Sequence, residues 1–65
     1  MLITVNGQAT TIEPSESVRS LLAKRGLSPD KVAIELNRRL LRSDRYDESL
    51  KEGDVLEIVT FVGGG

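Results

Sequence analysis

Cysteine and histidine are both missing from this 65-residue sequence. Their absence removes disulfides, thiolate nucleophiles, imidazole bases and the usual zinc ligand sets. Tryptophan is missing as well, and the aromatic residues amount to a single Tyr and a single Phe. No apolar run approaches the roughly 20 residues of a membrane span. The N-terminus lacks the basic segment and long apolar stretch of a signal peptide. The expectation is a cytoplasmic protein with no membrane role. A strong excess of one charge sign is lacking too. The formal net charge of -1 argues against a general nucleic-acid binder, although a local basic patch is compatible with it.

What is present suits a small soluble domain. Apolar residues make up 38% and charged residues 29% of the chain, a mixture that folds rather than staying a solvated polyelectrolyte. A domain of this length buries only about 60% of the surface its unfolded chain exposes. That leaves room for one modest core and little room for a deep substrate pocket. With cysteine and histidine excluded, a part as substrate or carrier fits better than a part as catalyst. The expected catalytic and metal-ligating residues are none.

The chain opens with a short strand, Met1 to Val5, in which Ile3 and Val5 share a face with Met1. Asn6-Gly7 follows, the dipeptide of a type I′ hairpin turn. Gln8 to Ile12 is the returning strand. Pro14 breaks the sheet, since it cannot donate to a ladder. Ser17, or alternatively Ser15, caps a helix running from Val18 to about Arg25. Val18, Leu21 and Leu22 form its apolar stripe, Lys24 and Arg25 suit its C-terminal dipole, and Gly26 ends it. Leu27 to Asp30 is a loop. Val32 to Leu36 alternates as a strand with Glu35 outward, Asn37-Arg38-Arg39 is a turn, and Leu40-Leu41 is a short edge strand. From Ser43 to Glu52 there is no clear period, with Tyr46 and Leu50 as covers for the core. Glu52-Gly53-Asp54 is a tight turn, and Val55 to Val62 is the last and longest strand.

This order, β-β-α-β-β-β, predicts an α+β fold: a mixed sheet of four to five strands with one helix packed on one face. The last strand has an informative parity. Leu56 and Ile58 share one face, while Val55, Glu57, Val59 and Phe61 share the other. Glu57 is costly to bury unpaired, so its face belongs to solvent. Val59 and Phe61 then stand outward, as a docking patch or, if the strand twists, folded back onto their own sheet.

Gly63, Gly64 and Gly65 follow that strand. Glycine has no side chain to bury and loses much backbone freedom on ordering, so terminal glycines add little to stability. Two readings stand open: a frayed end, or an arm that carries the carboxylate of Gly65 into another protein's active site. Residues 1–62 are then the folded domain and 63–65 a flexible tail.

Asn6-Gly7, Glu13-Pro14-Ser15-Glu16-Ser17-Val18, Leu21-Leu22, Ala33-Ile34-Glu35-Leu36-Asn37, Leu50-Lys51-Glu52-Gly53-Asp54 and Phe61-Val62-Gly63-Gly64-Gly65 occur in one order across the whole chain. Together they resemble the ThiS family of sulfur carrier proteins in thiamine biosynthesis, which have the ubiquitin-like β-grasp fold. The motifs are individually weak and specific in combination.

The resemblance implies a two-step activation. A ubiquitin-activating-like adenylyltransferase, using ATP and magnesium, would convert the Gly65 carboxylate into an acyl adenylate. A persulfide sulfur donor such as a cysteine desulfurase would then supply the sulfur that leaves Gly65 as a thiocarboxylate. Thiazole synthase would take that sulfur into the thiazole ring. On this reading the carrier holds no cofactor of its own, Gly63 and Gly64 form the flexible approach, and Val59, Phe61 and Val62 are the partner-binding candidates. Related alternatives are the small subunit of molybdopterin synthase, another sulfur-pathway carrier and a lysine-conjugating ubiquitin-like modifier. An alternative of another class is a non-catalytic interaction domain.

Arg38, Arg39, Arg42 and Arg45 form a basic cluster. The expectation is a solvated face with weak ion pairs to Asp44, Asp47 and Glu48, with electrostatic attraction to an acidic partner as the functional reading. No aromatic platform accompanies these arginines for binding single-stranded RNA. Glu13 and Glu16 read as turn or solvated positions.

Overall fold

Asn6 and Gly7 have φ values of 49° and 81°, the two successive left-handed residues a type I′ turn requires. The chain doubles back there, joining strand β1 (Leu2–Val5) to β2 (Gln8–Thr11) in antiparallel register, Val5 opposite Gln8 and Leu2 opposite Thr11. The structure, a computed structural model, describes residues 1–61. Helix α1 (Val18–Lys24) comes next, then β3 (Val32–Leu36), the short β4 (Arg39–Leu41) and β5 (Val55–Thr60).

The five strands form one mixed sheet in the order β2-β1-β5-β3-β4. The last strand is therefore central, parallel to β1 and antiparallel to β3. This is the α+β arrangement expected from the chain order.

Boundaries differ from expectation by a residue or two at most ends. Met1 and Ile12 fall outside the first two strands, although the Ile12 N–H still donates to the Met1 carbonyl at 2.8 Å. Arg39 belongs to β4 rather than the turn, because only Asn37 and Arg38 take the left-handed conformation. The helix stops at Lys24 with Arg25 as its C-cap, and Gly26 follows with φ 72°. The Leu27–Asp30 loop includes a 3-10 turn over Pro29–Lys31. The last strand ends at Thr60 instead of running to Val62; Phe61 lies beyond it, yet its N–H donates to the Lys31 carbonyl at 2.8 Å. Val62, Gly63, Gly64 and Gly65 lie outside the described residues, and with them the expected division of the chain at residue 62.

Ser17 is the N-cap. Its Oγ accepts from the Ser20 N–H at 3.1 Å, and its own N–H donates to Ser20 Oγ at 2.9 Å, so two otherwise unpaired helix-end donors are satisfied reciprocally. The helix then lays Val18, Leu21 and Leu22 onto the sheet. Ile3, Val5, Val18, Leu22, Ile34 and Leu56 are the most deeply buried side chains. Each comes from the face its strand or helix period predicted. Tyr46 and Leu50 close the core's rim as expected, both buried. A 3-10 turn over Ser43–Arg45 brings Tyr46 in, and its carbonyl accepts from the Arg19 N–H at 3.0 Å. Among the described residues no helix is long and apolar enough to cross a membrane.

Candidate functional site

β5 alternates as far as Val59: Leu56 and Ile58 are buried, while Val55, Glu57 and Val59 are exposed; Thr60 at the strand's end is exposed too, as is Phe61 beyond it. The outward parity expected of Val59 and Phe61 is observed, with 57% and 56% of their surface accessible. The central strand thus leads out of the core and presents two large apolar side chains where the described chain ends. Among the described residues, Leu2 on β1 and Leu40 on the edge strand β4 are also exposed large apolar side chains.

Side chains of two asparagines fix β5 from either side. β1 pairs with β5 only through Thr4–Val55 and Val5–Leu56. Beyond that point the Asn6 amide continues the ladder: Oδ1 accepts from the Ile58 N–H at 2.7 Å and Nδ2 donates to the Ile58 carbonyl at 3.2 Å. On the β3 side, Asn37 Oδ1 accepts from the Val55 N–H at 2.9 Å and its Nδ2 donates to Asp54 Oδ1 at 3.0 Å. The Asn37 N–H also donates to the Val55 carbonyl at 2.7 Å. Asn6-Gly7 was legible as a turn. The second task of its amide was not, because it depends on which strand lies beside the turn.

The register of β3 on β5 sets Ala33 opposite Val59 and Glu35 directly opposite Glu57. Both glutamates are exposed on the outer face. Strand parity gave each of them its orientation, but pairing across the sheet is a tertiary property and left no local signal.

Glu16 corrects the expectation of a solvated turn. It is buried, at 4% accessible, and its carboxylate accepts from Lys24 Nζ at 2.8 Å and from Ser20 Oγ at 2.7 Å. The hydrogen bond from Lys24 does most to hold its pKa below the ordinary carboxylate value, the Ser20 hydroxyl adds to this, and burial opposes it. The Glu16 carbonyl accepts from the Leu50 N–H at 2.8 Å, which ties the helix entrance to the irregular 43–54 segment. This ion pair is structural.

The basic cluster keeps only part of its expected pairing. Arg45 bonds Glu48 at 2.9 Å, but Asp47 pairs with Arg19 of the helix at 2.7 Å. All four of these side chains are well exposed. A cleft of about 260 Å³ is walled by Leu36, Leu41, Arg45, Glu48 and Lys51 among others, slightly below the roughly 300–1,000 Å³ of a ligand pocket. Among the described residues no group of three or more His, Cys, Asp or Glu could hold a metal ion.

Comparison with known proteins points to one family. The ThiS family model matches residues 3–65. The sulfur carrier protein ThiS of Bacillus subtilis is 42% identical over 50 residues, covering 75% of this chain and 76% of that one. A thiazole synthase of Paramagnetospirillum magneticum is 36% identical over 66 residues; the match takes in 100% of this chain but 20% of the relative. A thiazole synthase of Magnetococcus marinus gives the same identity and coverage, so the chain spans about 20% of the length of these two relatives. Among solved structures, the crystal structure of the thiamine biosynthesis protein (ThiS) of Geobacter metallireducens superposes with a TM-score of 0.80 at 35% identity, covering 100% of both chains. Its solution structure gives a TM-score of 0.76 at the same identity, covering 88% of that chain.

Proposed function

This chain belongs to the ThiS family of sulfur carriers in thiamine biosynthesis, and from that premise we propose that Gly65 is the residue that carries the sulfur. The chain serves as a protein carrier rather than a catalyst. The carboxylate of Gly65 attacks the α-phosphorus of ATP on a ubiquitin-activating-like adenylyltransferase, with magnesium, and pyrophosphate leaves. The terminal sulfur of a persulfide donor, such as a cysteine desulfurase, then attacks the acyl carbon and AMP leaves; an external thiol attacks the resulting acyl disulfide at the donor's sulfur, forms a disulfide with the donor, and releases Gly65 as the thiocarboxylate. The resulting thiocarboxylate gives its sulfur to a thiazole synthase.

The observation that carries this reading is the family match, which runs through Gly63, Gly64 and Gly65. The chemistry is consistent with those residues. A carboxylate is a poor electrophile, and the mixed anhydride supplies a good leaving group. Gly64 and Gly65 add no Cβ to obstruct a narrow channel. Ordering such a tail costs on the order of 1–2 kcal/mol per residue, so a folded surface must provide the affinity. Val59 and Phe61, exposed at the end of the central strand, are suited to that task, with Val62 next in sequence.

Intact mass spectrometry after incubation with ATP, the adenylyltransferase and a sulfur source tests it. The expected result is an oxygen-to-sulfur mass increase confined to the C-terminal peptide. Deleting Gly65 abolishes the change and leaves thermal unfolding where it was. An unchanged mass with enzymes competent on another carrier overturns the reading.

A further inference from the structure

Glu35 and Glu57 face each other across the two most extensively paired strands of the sheet, their β-carbons about 5 Å apart as in any directly opposed pair. Like charges so placed destabilise a sheet. Among the described residues no ion pair or hydrogen bond engages either carboxylate. The basic positions diagonal to Glu35 by register, Arg38 and Arg42 on either side of Leu40, make no such bond, and neither does Lys31 beyond Ala33.

Several of the pair's closest neighbours are apolar. Val55 and Val59 flank Glu57 along β5, Ala33 sits opposite Val59, and Leu40 sits opposite Glu35. An uncompensated acidic pair at the centre of an exposed apolar face complements a cation that is itself framed by apolar groups. Arginine fits better than lysine. Its planar fork can donate to two carboxylates at once, and its guanidinium is more weakly hydrated and so cheaper to bury at an interface.

We propose that this face, Val55, Val59 and Ala33 around the Glu35–Glu57 pair, docks on a thiazole synthase whose contact surface presents an arginine between aliphatic side chains, the guanidinium bridging both carboxylates. The inference rests on the proposed delivery of sulfur to a thiazole synthase. That enzyme is the partner chosen because two relatives called thiazole synthase contain a match to the whole of this chain. Repulsion in the free carrier is then relieved on binding, and the carboxylates select a partner of the right charge.

A pair kept for binding has a signature that a pair kept for stability lacks. Glu57→Gln and the Glu35→Gln/Glu57→Gln double variant raise the thermal midpoint of the free carrier by roughly 2–4 °C. They weaken its binding to thiazole synthase by about tenfold or more, measured by titration calorimetry with the full-length carrier. Charge reversal in Glu57→Arg weakens binding further, by on the order of a hundredfold. Glu13→Gln, which removes an exposed charge beyond the end of the edge strand β2, leaves binding unchanged. Wild-type carrier that does not bind, glutamine variants that bind as well as wild type, or variants that lose affinity only for the adenylyltransferase each overturn the inference. The carrier reading is judged separately, by sulfur transfer from a chemically prepared thiocarboxylate. Binding that depends on the pair without any sulfur transfer leaves the docking surface standing and removes the carrier function.

Discussion

Asn6 does two things that no other residue type does together. At φ 49° it occupies the left-handed region, which asparagine tolerates better than other non-glycine residues. Its amide then replaces the strand residue that would have paired with Ile58. Two substitutions separate these contributions. Asn6→Gly keeps the backbone freedom and loses both bonds, for an expected cost of about 1–2 kcal/mol. Asn6→Ala loses the same bonds and adds left-handed strain, for up to about 1 kcal/mol more. Urea denaturation measures both. Equal losses mean the turn conformation costs alanine nothing, and an undiminished Asn6→Gly means the amide bridge contributes nothing. Arg38 shows the opposite situation at the second hairpin. It holds φ 71° with no side-chain bond to offset the strain among the described residues, beside an Asn37 that is bonded to Val55 and Asp54.

At the scale of elements, the helix entrance depends on one carboxylate. Glu16 holds Lys24 and Ser20 through its side chain and Leu50 through its carbonyl, so the helix and the 43–54 segment share an anchor. Its folded-state pKa lies below the ordinary value of about 4.5, chiefly through Lys24. The unfolded chain therefore binds the proton more readily, and the stabilisation is complete above that value and lost as pH falls through the folded-state pKa. Lys24, raised chiefly by Glu16, behaves in mirror image and loses its share only as pH rises through a value above 10.5. Glu16→Gln is expected to be less stable than wild type near neutrality and to lose less on acidification from about pH 7 to pH 3. Parallel slopes for the two proteins in denaturant titrations across that range remove Glu16 as the acid-sensitive anchor.

The same elements show what the sequence makes legible. Period-two alternation placed Leu56 and Ile58 inward and Val59 and Phe61 outward, because strand parity is a local property. The i, i+3, i+4 stripe of Val18, Leu21 and Leu22 was equally local, and so was the positive-φ requirement met by Asn6-Gly7. Burial of Glu16 was not legible, because an acidic residue beside proline and serine reads as a solvated turn until Lys24 and Ser20 engage its carboxylate. Nor was Glu35 opposite Glu57, since register between strands separated by a long connection is decided by the whole core.

For the molecule as a whole, the face of the sheet proposed for docking is the one that does not hold the core. The inner face holds the core under the helix, and the outer face carries the exposed residues of β5 toward the glycine end. Substitutions on the two faces should therefore fail in different ways. Leu22 is fully buried, and Leu22→Ala is expected to cost about 2–5 kcal/mol, a large part of the total stability of so small a domain. On the proposed function, its activation by an adenylyltransferase then falls in proportion to the unfolded fraction and recovers on cooling toward the stability maximum. Phe61 is more than half exposed and lies beyond the strand. Phe61→Ala is expected to leave the thermal midpoint nearly unchanged and to lower kcat/KM for adenylation about tenfold or more, as loss of an aromatic anchor does. Thermal melts and pyrophosphate release measured on the same preparations decide the matter. If Phe61→Ala loses activity only as far as it loses folded protein, the outer end of β5 is not a handle, and the affinity for the proposed adenylyltransferase must come from another surface.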